Sequence, residues 1–429
     1  MNTTQTNPTE TELSRMQSGI RNQLDQPALL ETMYRKNKSL FREAFNLLYP
    51  DIRESQTAQV WNERLNYETD GISWGSRNDL IFFFTASFLA GLIAKIPHFT
   101  GMDEDYFYPR NLGFVVFPFL TTYFAWKHHM PVRRLLAVGL LFILSAIYIN
   151  VLPDNEHSDT LILACMHLPL LLWSALALGF AGDQPDPFKW RLDFLRYNGD
   201  LVVMSALILI AGGLLTAFTF GLFSLIDIDI ESIYSQYIGI WGLAAVPLVA
   251  TYLVRNNPQL VNKISPVIAA VFTPLVLATL LVFLVSMLLT GKDPYNDREF
   301  LLMFNVLLIG VMALIFFSVS AMPKNTVHKA RVVLLLGLSA VTIVVNGIAL
   351  SAILFRISEW GWTPNRIAVL GSNVLILTNL LEVAYRLFKI LRDENEMDGV
   401  AKSMTAFLPV YTAWATLVIF LFPLLFGFK

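Results

Sequence analysis

The chain has 429 residues, 55% hydrophobic and 15% charged, with a formal net charge of −2 and a mean hydropathy of +0.54. A soluble domain carries about 25% charged residues, so most of this chain must dissolve in lipid, and its slight acidity excludes a basic nucleic-acid binder. The single cysteine, Cys165, excludes an intrachain disulfide and a cysteine-based zinc cluster.

Residues 1–26 are polar, rich in Thr, Asn and Gln, and too poor in apolar groups to offset the entropy of ordering them. A disordered tail is expected there, with no apolar run of the kind that precedes a signal cleavage site. Residues 27–78 are polar but periodic. Leu40, Phe41, Ala44, Phe45 and Leu48 share one helical face, Val60, Trp61 and Leu65 mark a second short helix, and Pro50 stands between them. A segment of about fifty residues buries little core. It is therefore expected to lie as a cap on the membrane domain or as a pair of interfacial helices.

From residue 79 to 429 the apolar runs follow closely, at roughly 80–97, 111–127, 133–152, 160–181, 200–225, 233–254, 266–290, 300–322, 331–355, 364–389 and 406–428. A bilayer core takes about 20 apolar residues per helix, so the expected fold is all-α and polytopic, with about eleven transmembrane helices in one domain. The second run is the shortest and contains Pro118. Alternate loops on one side carry fifteen Lys and Arg, among them Lys127, Arg133, Arg134, Arg196 and Arg255. The other side carries seven (Lys95, Arg110, Lys292, Arg298, Arg356, Arg366 and Lys429), and its loops 154–159 and 227–231 carry none. Positive charge stays inside, which places the N-terminus in the cytoplasm and the C-terminus outside an inner membrane.

The densest chemistry lies between the ninth and tenth runs, where Arg356, Glu359, Trp360, Gly361, Trp362, Thr363, Pro364, Asn365 and Arg366 form a short polar connector. Thr363-Pro364 is a hydroxyl cap followed by proline at the first helical position. A helix N-terminus flanked by two guanidiniums suits a phosphate or carboxylate. The plainer account pairs Arg356 with Glu359, lets Arg366 reach lipid headgroups, and gives Trp360 and Trp362 to the aromatic belt.

The connector, written Arg-x-x-Glu-x-Gly-x-Thr-Pro-Asn-Arg, together with the run Ala349–Glu359 before it, resembles a bacterial multi-pass membrane family known only as domain of unknown function 4153. Asn262–Pro266, Pro294–Glu299 and Phe422–Phe426 support the match, which begins near Leu112 and covers about three quarters of the chain. The resemblance implies a polytopic bacterial membrane protein and brings no assigned activity.

Two further sets of residues carry chemistry. Acids recur in the outward loops: Asp103, Glu104 and Asp105; Asp154, Glu156 and Asp159; Asp227, Asp229 and Glu231; Asp293, Asp297 and Glu299. They are either divalent-cation ligands or the ordinary content of loops depleted in Lys and Arg. Within the apolar runs, Ser339, Thr342 and Asn346 share a face of one helix and Asn379, Glu382 and Arg386 a face of the next, with His167, Asn305 and Asn373 elsewhere. Such groups face a cavity or a partner, or serve as packing glue between helices.

The leading expectation is transport or handling of a small anionic solute or lipid headgroup. Arg356, Glu359, Thr363, Asn365 and Arg366 would form its outward site, with Asn346, Asn379, Glu382 and His167 deeper. One alternative is a glycosyl or headgroup transferase with Asp103, Glu104 and Asp105 catalytic; another is a non-catalytic sensor or scaffold using the N-terminal segment. The expected partners are the bilayer and an anionic lipid or small anionic ligand, with no metal, cofactor or nucleic acid. Oligomeric state is not legible in the sequence.

Overall fold

The structure, a computed structural model, describes residues 8–66, 75–155, 157–224, 229–290, 295, 298–320, 329–392 and 397–428. The chain divides into two compact units, Met1–Ile72 and Ser73–Lys429.

The first unit is four helices, α1 (Pro8–Asn22), α2 (Pro27–Lys36), α3 (Lys38–Ile52) and α4 (Gln56–Asn66). Pro27 opens α2 at the first helical position, where its missing N–H is no loss. Asn37 ends α2 and caps α3, its side chain accepting from Leu40 N at 3.2 Å. Where a disordered tail is expected through residue 26, α1 is helical and Ile20 is fully buried. Leu13, Met16 and Ile20 form a stripe too short to order alone, and it orders because α3 offers it a matching face. The face of Phe41, Phe45 and Leu48 is buried as expected. Its cover is this unit's own core, with Ile20, Leu30, Trp61 and Leu65. Tyr34 stands edge-on to Phe41 and Trp61, with centroids 5.7 and 5.6 Å away. Pro50 lies inside the last turn of α3 instead of between helices, and Val60 points outward.

The second unit runs α5 (Arg77–Ala94), α6 (Ile96–Thr100), α7 (Glu104–Lys127), α8 (Val132–Val151), α9 (Asp159–Ala181), α10 (Pro187–Ser224) and α11 (Glu231–Ile233). A π-helical turn, Tyr234–Gly239, leads into α12 (Ile240–Asn256), followed by α13 (Pro258–Thr290), α14 (Arg298–Ser320), α15 (Lys329–Trp360) and α16 (Pro364–Ile390). The unit closes with α17 (Met397–Ala406), α18 (Leu408–Phe420) and α19 (Phe422–Leu425). Among the described residues eight helices are long and apolar enough to cross a membrane, and shorter apolar helices accompany them. This is an all-α, multi-pass membrane protein.

Small residues mark its closest helix approaches, and many large apolar side chains face outward as well as inward. A methyl on Gly179 would sit 2.9 Å from the Thr121 carbonyl oxygen, so only glycine lets α9 approach α7 this closely. Leu136, Leu214 and Val306 are more than two-thirds exposed, as lipid-facing side chains are. Two apolar clusters organise the unit: α5, α7, α9, α10 and α12 close on Phe124, Phe180 and Leu248, and α13 to α17 close on Leu335, Leu338, Val345 and Leu380.

α7 begins well before residue 111. Asp103 caps it, accepting from Asp105 N at 2.9 Å, and the acids Glu104 and Asp105 fill its first turn, where the helix dipole favours them. Pro109 and Pro118 both lie inside it. Lys95 and Arg110, counted above as loop cations, are 1% and 2% exposed. The Arg110 guanidinium donates to Ile149 O at 2.8 Å and to Asp154 Oδ1 at 2.9 Å, and lies 4.3 Å from the Tyr106 ring centroid.

Candidate functional site

The connector is built from two helix ends. α15 stops at Trp360 because Gly361 takes the left-handed conformation, φ +75°, and donates its N–H to Ile357 O at 2.9 Å. α16 starts three residues later, with the Thr363 hydroxyl accepting from Arg366 N at 3.3 Å and Pro364 in the first turn. α15 continues five residues past the expected end at 355, whereas the start of α16 follows the sequence expectation.

The arginines do not. Arg366 Nη1 donates to Trp360 O at 2.8 Å and to Gly361 O at 2.6 Å. A cation in the first turn of α16 opposes that helix's dipole, but here it serves the C-terminal carbonyls of α15, where positive charge is favoured. Arg356 Nε donates to Tyr295 O at 2.9 Å. Glu359 is exposed and makes no ion pair among the described residues, so the pairing of Arg356 with Glu359 is not formed. What unites the arginines is Trp360, whose ring centroid lies 5.4 Å from the Arg356 guanidinium carbon and 5.8 Å from that of Arg366, within cation–π reach. Asn365 is half-buried beside them. Trp360 and Trp362 are 51% and 66% exposed.

Deeper in the same hairpin the buried polar residues form a seam. Asn346 Nδ2 donates to Asn373 O at 3.2 Å, tying α15 to α16, and Asn379 Nδ2 donates to the Tyr411 hydroxyl of α18 at 2.8 Å. Ser339, Asn346, Asn373 and Asn379 are at most 2% exposed, and each retains a buried polar atom with no protein partner among the described residues. An unpartnered buried polar atom costs about 1–3 kcal/mol, so the seam is an expensive place to be merely structural.

Glu382 is not part of it. Its side chain is 38% exposed and stands 3.8 Å from Arg386, while Asn379, one turn away, is fully buried. α16 presents a narrow face to its neighbours, and Glu382 lies at the edge of that face with its charge directed outward. His167 lies on α9 and its Nδ1 contacts Leu163 O of its own helix at 2.8 Å, apart from the seam. The Asp103 carboxylate caps α7 by accepting from the Asp105 backbone N–H, while Glu156, Asp227, Asp293 and Asp297 fall outside the described residues.

Two buried cations escaped the sequence reading. Arg110 holds α7 to the end of α8, supported by a reciprocal amide pair in which Asn111 and Asn150 each donate to the other at 2.9 and 2.8 Å. Lys95 Nζ donates to Gln236 Oε1 at 2.7 Å and lies 4.9 Å from the Tyr237 ring centroid, both partners presented by the π-helical turn. Its partners are 141 positions away, so local pattern could not find them. The chain matches no family model, and neither a curated protein nor a solved structure shows significant similarity to it.

Proposed function

We propose that this chain is an inner-membrane protein of about eleven crossings, cytoplasmic at its N-terminus and extracytoplasmic at its C-terminus, belonging to the family that its connector resembles. In this reading it handles an anionic lipid headgroup or small anionic solute at the connector. The observation that carries the reading is Arg366. Its guanidinium sits at a helix junction without a carboxylate partner among the described residues, beside a second guanidinium on the same tryptophan ring. The exposed Trp360 and Trp362 favour a headgroup, because such rings settle at the level of the lipid headgroups.

The test is the thermal stability of purified Arg356→Lys and Arg366→Lys variants with and without anionic phospholipid. Lysine keeps the charge and loses the planar fork. A hydrogen bond to a charged group contributes roughly 1.5–3 kcal/mol, so each substitution should weaken lipid-dependent stabilisation about ten- to a hundredfold. If Arg366 serves only the carbonyls of α15, Arg366→Lys lowers stability equally with and without lipid, and the reading falls. A reporter active only in the cytoplasm, fused after Lys429, should stay silent; a strong signal reverses the orientation.

The sensor or scaffold reading draws on a separate observation, the N-terminal unit's own core around Phe41, Phe45 and Trp61. The transferase reading has no such support, since capping accounts for the position of Asp103.

A further inference from the structure

At the end of the membrane unit opposite the connector, α7, α9, α10 and α12 surround a polar cleft of about 430 Å³. That end is fixed by contacts: Leu163 near the start of α9 packs with Ala368 near the start of α16, so the C-terminus of α9 points away from the connector. The volume suits a ligand of metabolite size. His128, Gln184, Asp193, Arg196, Asp200 and Arg255 contribute its polar lining.

The charges of the cleft come in both signs and are unequally engaged. Arg196 is held by Ser320 O at 2.9 Å and Asp193 Oδ1 at 3.3 Å. The second oxygen of Asp193 has no protein partner among the described residues. Arg255 donates a hydrogen bond to the Tyr123 hydroxyl, lies with its guanidinium carbon 5.7 Å from the Phe124 ring centroid, and has no carboxylate partner among the described residues. His128 contacts the Phe180 carbonyl through Nδ1. A carbonyl only accepts, so Nδ1 carries the proton and Nε2 is left as an acceptor. Burial pushes the imidazole below its ordinary range, which keeps it neutral at pH 7. The cleft thus offers an anionic group one guanidinium that no described carboxylate neutralises, and offers a cationic group a carboxylate oxygen with a neutral imidazole acceptor.

We infer that this cleft binds a small zwitterion, with its phosphate or carboxylate on Arg255 and its ammonium group on Asp193 and His128. An ion of one sign would leave the groups that suit the other unmatched. Free amino-acid-like solutes and the phosphoethanolamine headgroup of a lipid share this chemistry. The site is separate from the connector and does not rest on the function proposed there.

The experiment uses the purified full-length chain and reads thermal stability against added phosphoethanolamine, glycine, inorganic phosphate or ethanolamine. In parallel, the protein is reconstituted into nanodiscs of phosphatidylethanolamine or of phosphatidylglycerol alone. A ligand that binds only the folded state raises the midpoint with its concentration. At least one zwitterion, free or lipid-borne, should stabilise the protein, and inorganic phosphate and ethanolamine should each do so at least tenfold less effectively. Stabilisation by free phosphoethanolamine or glycine identifies a soluble ligand, stabilisation by phosphatidylethanolamine alone identifies a lipid, and both support the inference. Arg255→Gln and Asp193→Asn should each weaken the response about tenfold. Should Asp193→Asn fail to fold, Arg255→Lys provides the second variant, with a partial loss expected. The inference is overturned if no zwitterion stabilises the chain, if phosphate alone does as well, or if Arg255→Gln responds like the wild type.

Discussion

The N-terminal unit and the membrane unit are both helical and both pack aromatic side chains in their cores, yet they differ in what they bury beside those rings and in what they turn outward. In the N-terminal unit the contacts are large and aromatic, Phe41 against Trp61 with centroids 5.2 Å apart, and charges lie outside in pairs such as Arg21–Asp51 at 2.7 Å. In the membrane unit Gly179, Ala349 and Asn379 lie inside, while Leu136 and Leu214 lie outside. The difference is one of solvent. Water drives large apolar groups together, whereas lipid is as apolar as leucine and leaves close approach and hydrogen bonding to hold helices together.

The sharpest test of this contrast is Trp61→Ala. Deleting a buried tryptophan side chain costs about 3–5 kcal/mol, enough to unfold a unit of this size. Limited proteolysis of the full chain should then cleave within residues 8–66 and spare the membrane unit. Loss of the membrane unit as well would mean that the two do not stand on separate cores.

A second test inverts the usual ranking of substitutions. Gly182 has φ +54°, and a methyl there would fall on the His128 carbonyl oxygen. Gly182→Ala should therefore cost about 1–3 kcal/mol from overpacking and strain. Leu136→Ala removes far more surface but faces outward, 67% exposed, and should stay within about 0.5 kcal/mol. Melting of the two variants in one detergent checks the order. If Leu136→Ala proves the more damaging, that face of α8 packs against protein instead of lipid.

The smallest effect expected is electrostatic and confined to the N-terminal unit. The hydrogen bond from Arg35 beside Glu31 at 2.8 Å, with Arg64 at 2.7 Å, holds the Glu31 carboxyl below its ordinary range. A carboxylate with a lowered folded-state pKa contributes stability above its unfolded value of about 4.3, and that contribution disappears as pH falls through the folded value. The unit should lose stability below about pH 4, and Glu31→Gln should flatten that slope slightly. The pairs are solvent-exposed and screened, so the change is modest. A pH titration of proteolytic sensitivity measures it.

Much of the membrane unit was readable from composition and run length, because a bilayer core sets the number of apolar residues a helix must supply. The start of α16 was readable for a local reason: Thr363 and Pro364 act through their own backbone and nearest neighbours. The start of α7 was not, because Arg110 looks like a loop cation until Ile149, Leu152 and Asp154 are brought to it. The helix α1 was hidden similarly, since its three apolar residues mean little without α3 beside them.

The candidate sites divide along the same line. Sequence by itself determined that Arg356 and Arg366 flank a helix start and that polar residues interrupt the apolar runs. Only the tertiary structure decided that Arg366 serves the carbonyls of α15, that Asn379 is buried and Glu382 is not, and that His128, Asp193 and Arg255 line one cleft. The physical reason is range: helix caps, turns and hydropathy depend on neighbours within a few residues, whereas burial and the pairing of a charge depend on groups tens to hundreds of positions away.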